Sequence, residues 1–319
     1  MIRSFLKHVP VPTAGLALGI VALGKLMGTW LPYAESVCVF LSVVLILLVT
    51  AKAFICPVQL RADLQQPVQA AVFGTFFMTY MQLATYLSVY HLRFAQALWA
   101  IAVIGQFALM VWFSASRMRS PKLQDVFATW FVCYVGIIVG SVTSPAVQMI
   151  AVGQGLFCFG FVAYVILLVL VTLRYIRHEV PAPAAPTFCI YAAPMSLSLA
   201  GYMAVCSNPN IWFVLCLEVF AQLLFYMVLL QVPKFIRSGF FPSFAAMTFP
   251  FVITATALQG SLSVLRSAGI MLPLVFDIVL YCECIFACGM TLFVLVCFGR
   301  FFVQKLRVVR DEHNVAYAS

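Results

Sequence analysis

The chain has 319 residues, 65% of them hydrophobic and only 8% charged, with a mean hydropathy of +1.09. That balance excludes a soluble globular domain and points to an integral membrane protein. The net charge of +9 comes from basic residues flanking apolar segments, not from a basic, aromatic-rich soluble face, which argues against nucleic-acid binding.

Taken in chain order, the sequence predicts ten helices. The start, "MIRSFLKHVPVPTAGLALGIVALG", has the basic and apolar regions of a signal peptide. It shows no convincing small-x-small cleavage site, and glycines at 15, 19, 24 and 28 suit a packed helix. A first crossing is therefore expected over 9–29. Crossings over 34–55, 67–89 and 93–115 follow. The uncharged run Val126–Leu173 is too long for one crossing, which needs about 20 apolar residues. Splitting it near Ser144-Pro145 gives 125–144 and 146–174, and the remaining spans are 185–207, 210–232, 241–264 and 270–300. A transmembrane barrel is excluded because these runs do not alternate polar and apolar residues. The expectation is one all-α membrane domain over 1–319, with no room for a soluble catalytic or regulatory domain.

Orientation follows from the basic residues. With a cytoplasmic N-terminus, only Lys25, Arg93 and Arg266 fall outside, and the other 15 of the 18 Lys and Arg residues, Arg119 among them, fall inside. The positive-inside rule asks for this asymmetry. An even number of spans and two cytoplasmic termini in the cell membrane are expected.

The odd-numbered helices share a rhythm. Four begin with proline near the cytoplasmic end, at Pro12, Pro67, Pro186 and Pro242. The fifth helix, starting near Asp125, falls midway in the double gap but lacks the proline. The pattern reads as five helical hairpins of about 60 residues, one unit used several times. Even helices such as "ESVCVFLSVVLILLVTA" are crowded with large apolar residues that suit lipid or a partner subunit. Odd helices carry small and polar ones: Gly15, Gly19, Thr75, Gly136, Gly140, Ser141, Ser196, Ser198, Gly201, Thr254 and Thr256. Small residues permit close helix approach, so tight packing alone would explain them. An inner ring of five odd helices around a passage would also explain the prolines, because a broken helix is tolerated where freed backbone meets protein or a water-lined cavity. In "FPSFAAMTFPFVITATAL", Pro250 is expected to kink the ninth helix, freeing the Ala246 carbonyl and redirecting Phe249.

Four pieces, "VPTAGLALGIVALG", "QQPVQAAVFGTFF", "IYAAPMSLSLAGY" and "FPSFAAMTFPFVITATAL", resemble the tellurite-resistance/dicarboxylate transporter family. That family includes TehA-type proteins, fungal malate and sulfite transporters and plant slow anion channels. The Ala-Ala-Pro ending at Pro194 and the Thr-Phe-Pro ending at Pro250 are the most specific. The resemblance implies ten helices in quasi-five-fold arrangement, a homotrimer with one pore per subunit, kinks at the inner-helix prolines and a phenylalanine that occludes the pore. The matching residue is Phe249. The fifth helix departs from the pattern, lacking the early proline and carrying bulkier residues in "WFVCYVGIIVGS". The long hydrophilic ends of the plant members are absent, so their regulation by kinases is not expected here.

The chemistry expected is transport rather than catalysis. No Ser-His-Asp order, His-Glu-x-x-His motif or phosphate loop is present, and no cofactor is expected. Cys282, Cys284 and Cys288 lack the pairing and the nearby histidine of a structural zinc site; no metal is expected. His8, His91, His178 and His313 fall at segment ends or in the tail. The embedded acids Glu218, Asp277 and Glu283 lie on even helices, where they serve either helix contacts or proton coupling. A pore free of acids does not repel anions, and one free of fixed cations does not trap them. The expected partners are small anions and membrane lipid. A channel or uniporter gated by Phe249 and a proton-coupled carrier of dicarboxylate, sulfite or tellurite-related species both remain open.

Overall fold

The computed structural model describes residues 2–117 and 122–318, with side chains to 311. Arg119 and the His313 side chain lie outside the described residues. Among them every regular element is a helix. Five long helices are apolar enough to cross a membrane: α3 (Ala34–Ile55), α7 (Leu92–Arg117), α10 (Ile150–Arg177), α12 (Ile211–Leu229, extended by α13, Val232–Arg237) and α15 (Leu274–Ala318). Two further membrane-length segments are composite. Ala182–Ala192 is a 3-10 stretch leading into α11 (Ala193–Val205), and Pro242–Met247 is another leading into α14 (Phe249–Ser267). An eighth forms if α1 (Ile2–His8) and α2 (Thr13–Met27) count as one span bent by 81°.

Burial separates two populations. The apolar windows of α3, α7, α10, α12 and α15 are 28–39% buried, against 78% and 72% for the composite segments of α11 and α14. Nearly all of α2 is buried too. The shorter elements α5 (Pro67–Val72), α6 (Gly74–Leu87), α8 (Thr129–Tyr134) and α9 (Ile138–Thr143) join the buried set. Helix α2 packs on α6, α6 on α9, α9 on α11, α11 on α14, and α14 returns to α2. The long helices pack outside, with α3 on α2, α7 on α6, α10 on α9 and α12 on α11. Their outward residues, such as Phe40, Ile101, Val162 and Leu223, are exposed. That is the lipid-facing chemistry expected of a helix apolar all round.

The structure corrects the expected role of the prolines. Pro250 does not kink a continuous helix; it sits in the first turn of α14, and the discontinuity is one step earlier, at Thr248 (φ −112°, ψ −84°). Proline is tolerated in a first turn because its missing N–H would have had no partner there. The same holds for Pro67 at the start of α5, Pro194 in the first turn of α11 and Pro242 opening its 3-10 stretch. Pro12 caps α2, and its carbonyl accepts from Gly15 N and Leu16 N at 2.9 and 3.2 Å. Several expected helix ranges also shorten or divide: 67–89 breaks at Phe73, and 185–207 and 241–264 each begin as 3-10 helix.

The fifth odd segment is broken without a proline. A 3-10 turn, Val135–Ile137, separates α8 from α9. Gln106 of α7 reaches into the break, and its Nε2 donates to the carbonyls of Val132 (3.2 Å) and Cys133 (2.7 Å). An outer helix thus supplies the donors that a membrane offers from no other source.

Two buried cations brace the end of the molecule where these segments begin. Lys52 of α3 is 1% exposed; its Nζ donates to Val9 O (2.6 Å) and to Asp63, tying the α1–α2 elbow to α4 (Pro57–Asp63). Arg174 of α10 is 2% exposed and donates to the carbonyls of Gln124, His178 and Glu179, with its guanidinium 4.2 Å from the Phe127 ring centroid.

Candidate functional site

One cavity lies between the buried elements. All five odd segments contribute to it: Pro12 and Gly15 from the first; Val72, Thr75 and Met78 from the third; Phe131, Val132 and Gly136 from the fifth; Ile190 and Pro194 from the seventh; Ala246, Phe249 and Pro250 from the ninth. The cavity volume is about 70 Å³, enough for a few waters or one small ion.

Among the described residues, none that lines the walls carries a charged side chain. Three hydroxyls reach them, and each donates to a backbone carbonyl: Thr75 to Val72 (2.8 Å), Thr187 to Ala184 (2.6 Å) and Ser243 to Pro183 (2.6 Å). An ion in this space therefore meets neither a fixed counter-charge nor a free hydroxyl hydrogen. Such walls hold an ion weakly, which favours passage over capture.

Phe249 and Phe251 differ although only two residues separate them. Phe251 is clamped between Phe225 and Phe286, at centroid distances of 6.0 and 5.0 Å. Phe249 borders the cavity, is 6% exposed, and stacks on no other ring among the described residues. Its position is fixed through the backbone. A Cβ added at Gly19 would overlap the Thr248 side chain and stand 2.9 Å from the Phe249 nitrogen, so α2 passes directly over the break before Phe249. Thr248 Oγ1 donates back to Ala245 O (2.8 Å) and lies 3.4 Å from Gly15 O.

The other expected residues divide between wall and scaffold. Pro12, Gly15, Thr75, Gly136, Pro194, Phe249 and Pro250 line the cavity. Gly19 packs on Thr248, and Gly140 on Leu156. Ser141 donates to Gly153 O (2.8 Å), joining α9 to α10, while Ser198 and Thr256 bond within their own helices to Pro194 O and Val252 O. Pro67 and Pro242 begin their segments outside the lining. Of the bulky fifth-segment residues, Phe131 faces the cavity, whereas Trp130 and Tyr134 turn toward Phe113 of α7. Sequence reasoning missed Val68, Thr187 and Ser243, although each follows one of the aligned prolines and all three line the cavity. That register was the available signal.

The acids are not equivalent. Asp277 lies in the first turn of α15 and accepts two hydrogen bonds from Arg266, at 2.6 and 2.7 Å. It is an exposed ion pair at a helix end, not an acid deep in the bundle. Glu218 and Glu283 are buried, at 9% and 4% exposure, on α12 and α15 away from the cavity.

Comparison with known proteins bears on what such a cavity does. The family described as SLAC1, voltage-dependent anion channel, matches residues 8–302. A relative from Methanocaldococcus jannaschii, named as an uncharacterized transporter, is 29% identical over 223 residues. That match covers 61% of this chain and 63% of the relative, so the chain spans less than two thirds of its relative's length.

Proposed function

The chain belongs to the voltage-dependent anion channel family, and from that premise we propose that it is a multi-pass membrane protein passing small anions through the cavity between its odd segments. The observation that carries this reading is the cavity itself: all five odd segments line it, no charge interrupts it, and Phe249 stands at its wall. On this reading the ten helices act as five hairpins around a central pore, the odd segments inside and the long apolar helices outside. Phe249 occludes the pathway and Gly15, Thr75, Gly136, Pro194 and Pro250 line it. Selectivity rests on pathway width, on backbone dipoles and on the basic residues at one mouth. The exposed apolar faces of the long helices accommodate lipid and the contacts of a homotrimer. The termini lie on the cytoplasmic side of the cell membrane, in keeping with the basic-residue bias.

A second reading has its own support. Two buried acids, Glu218 and Glu283, suit a carrier that couples a C4-dicarboxylate, sulfite or tellurite-related oxyanion to protons. Reconstituted protein tested against a panel of anions, with and without a pH gradient, separates the two. Flux down an anion gradient alone supports the channel or uniporter. Flux that requires the pH gradient supports the carrier. Purified protein that passes no anion under any gradient contradicts both.

A further inference from the structure

The buried acids of α12 and α15 are surrounded unequally. Both oxygens of Glu218 accept a hydrogen bond, Oε1 from Gln222 Nε2 (2.9 Å) and Oε2 from Ser261 of α14 (2.8 Å). Glu283 is nearly fully buried, and neither of its carboxylate oxygens has a partner; Gln222 Oε1 has none either. These groups share one level. Gln222 and Glu283 stand three residues before Phe225 and Phe286, whose ring centroids are 6.2 Å apart. The groove joining Leu229 and Val232 to Phe286 and Met290 shows that α12 and α15 run in the same direction. Glu283 therefore lies at the level of Gln222 on the neighbouring helix, one turn beyond Glu218.

A carboxylate and a carboxamide oxygen are both acceptors and cannot bond to each other. Two carboxylates close together in a water-poor bundle do not both stay ionised. One proton on Glu283 resolves both problems, because the resulting O–H is a donor for Gln222 Oε1. The other titratable groups beside Glu283 are Tyr226 of α12 and Cys284 of its own helix. Ser261 of α14 and Met203 of α11 close the site, and neither titrates. Neither ion pair found among the described residues involves Glu283.

We propose that Glu218, Gln222, Ser261 and Glu283 form a proton-binding site separate from the cavity. Glu283 takes one proton from water, donates it in a hydrogen bond to Gln222, and is linked through that carboxamide to Glu218; release returns the proton to water. The site deepens the transport reading by naming a place where a coupling or regulating proton resides, and it rests on that reading only for its consequence.

Infrared difference spectroscopy of reconstituted protein tests it directly. At neutral pH the wild type is expected to show a buried carboxylic-acid C=O band that shifts on H/D exchange. The band should be lost in Glu283→Gln, a variant whose carboxamide can still donate to Gln222, and shifted in frequency in Gln222→Leu. Replacing sodium by choline should leave it unchanged. A wild-type minus Glu283→Gln spectrum with only ionised carboxylate bands would overturn the proposal, as would a band that sodium displaces, which would mark a cation site. Protein that shows the band but passes no anion would refute the transport reading and leave the site intact.

Discussion

Gly19 of α2 lies so close to Thr248 that a Cβ at Gly19 would overlap the Thr248 side chain and stand 2.9 Å from the Phe249 nitrogen. The Thr248 Cβ and the Phe249 nitrogen are both fixed by the backbone at the helix break, so rotating the Thr248 hydroxyl does not relieve the contact. Gly19→Ala should therefore destabilise by about 1–3 kcal/mol, the usual cost of overpacking. Thr248→Gly, which removes the overlapped atoms, should recover part of that loss. A double-mutant cycle of detergent unfolding checks this: a clear coupling energy is expected, and simple additivity would show that the two residues do not press on each other.

Phe251 and Phe249 should respond unequally to truncation. Phe251 is held by two rings, so Phe251→Ala should cost about 3–5 kcal/mol, as large-to-small changes in aromatic cores do. Phe249 faces open space on one side, and Phe249→Ala should cost distinctly less. Thermal unfolding of the two purified variants, read side by side, decides it.

Gln106 holds the fifth segment. Gln106→Leu leaves the Val132 and Cys133 carbonyls without their side-chain donor, an expected loss of about 1–3 kcal/mol. Gln106→Glu should be worse, because a carboxylate would face two carbonyl oxygens. Yield and monodispersity in mild detergent would rank wild type above Gln106→Leu and both above Gln106→Glu.

Lys52 ties the elbow before α2 to α4 through Val9 O and Asp63. Removing one partner of a buried pair costs about 3–5 kcal/mol, and because Asp63 is 17% exposed the loss on Lys52→Met should sit at or below the lower end. Asp63→Asn keeps an acceptor but leaves the almost fully buried Lys52 ammonium without its counter-charge, and should cost at least as much. Protease protection of the first ten residues reads this locally, with faster cleavage expected in Lys52→Met.

The long apolar helices were legible in the sequence because the apolar length needed to cross a bilayer does not depend on tertiary detail. The sequence carried the proline register as well: Pro186 and Pro242 are each followed eight residues later by Pro194 and Pro250, and both later prolines face the cavity. It did not reveal what the prolines do. A proline in a long apolar run reads as a kink, yet Pro250 sits in the first turn of α14 because the chain has already broken at Thr248 under Gly19. The break in the fifth segment was hidden for a similar reason. Its donor, Gln106, comes from another helix, 26 residues before Val132, and no local pattern reports such a contact. Asp277 looked like an embedded acid because its partner Arg266 lies on the preceding helix across a turn.

The central claim, that Phe249 occludes a pathway for small anions, is tested most directly by anion flux through Phe249→Ala in proteoliposomes without a pH gradient. The account predicts flux raised by about tenfold, the factor for ~1.4 kcal/mol off a barrier, in protein that remains as monodisperse as the wild type. Unchanged or reduced flux in equally well-folded Phe249→Ala protein would contradict it.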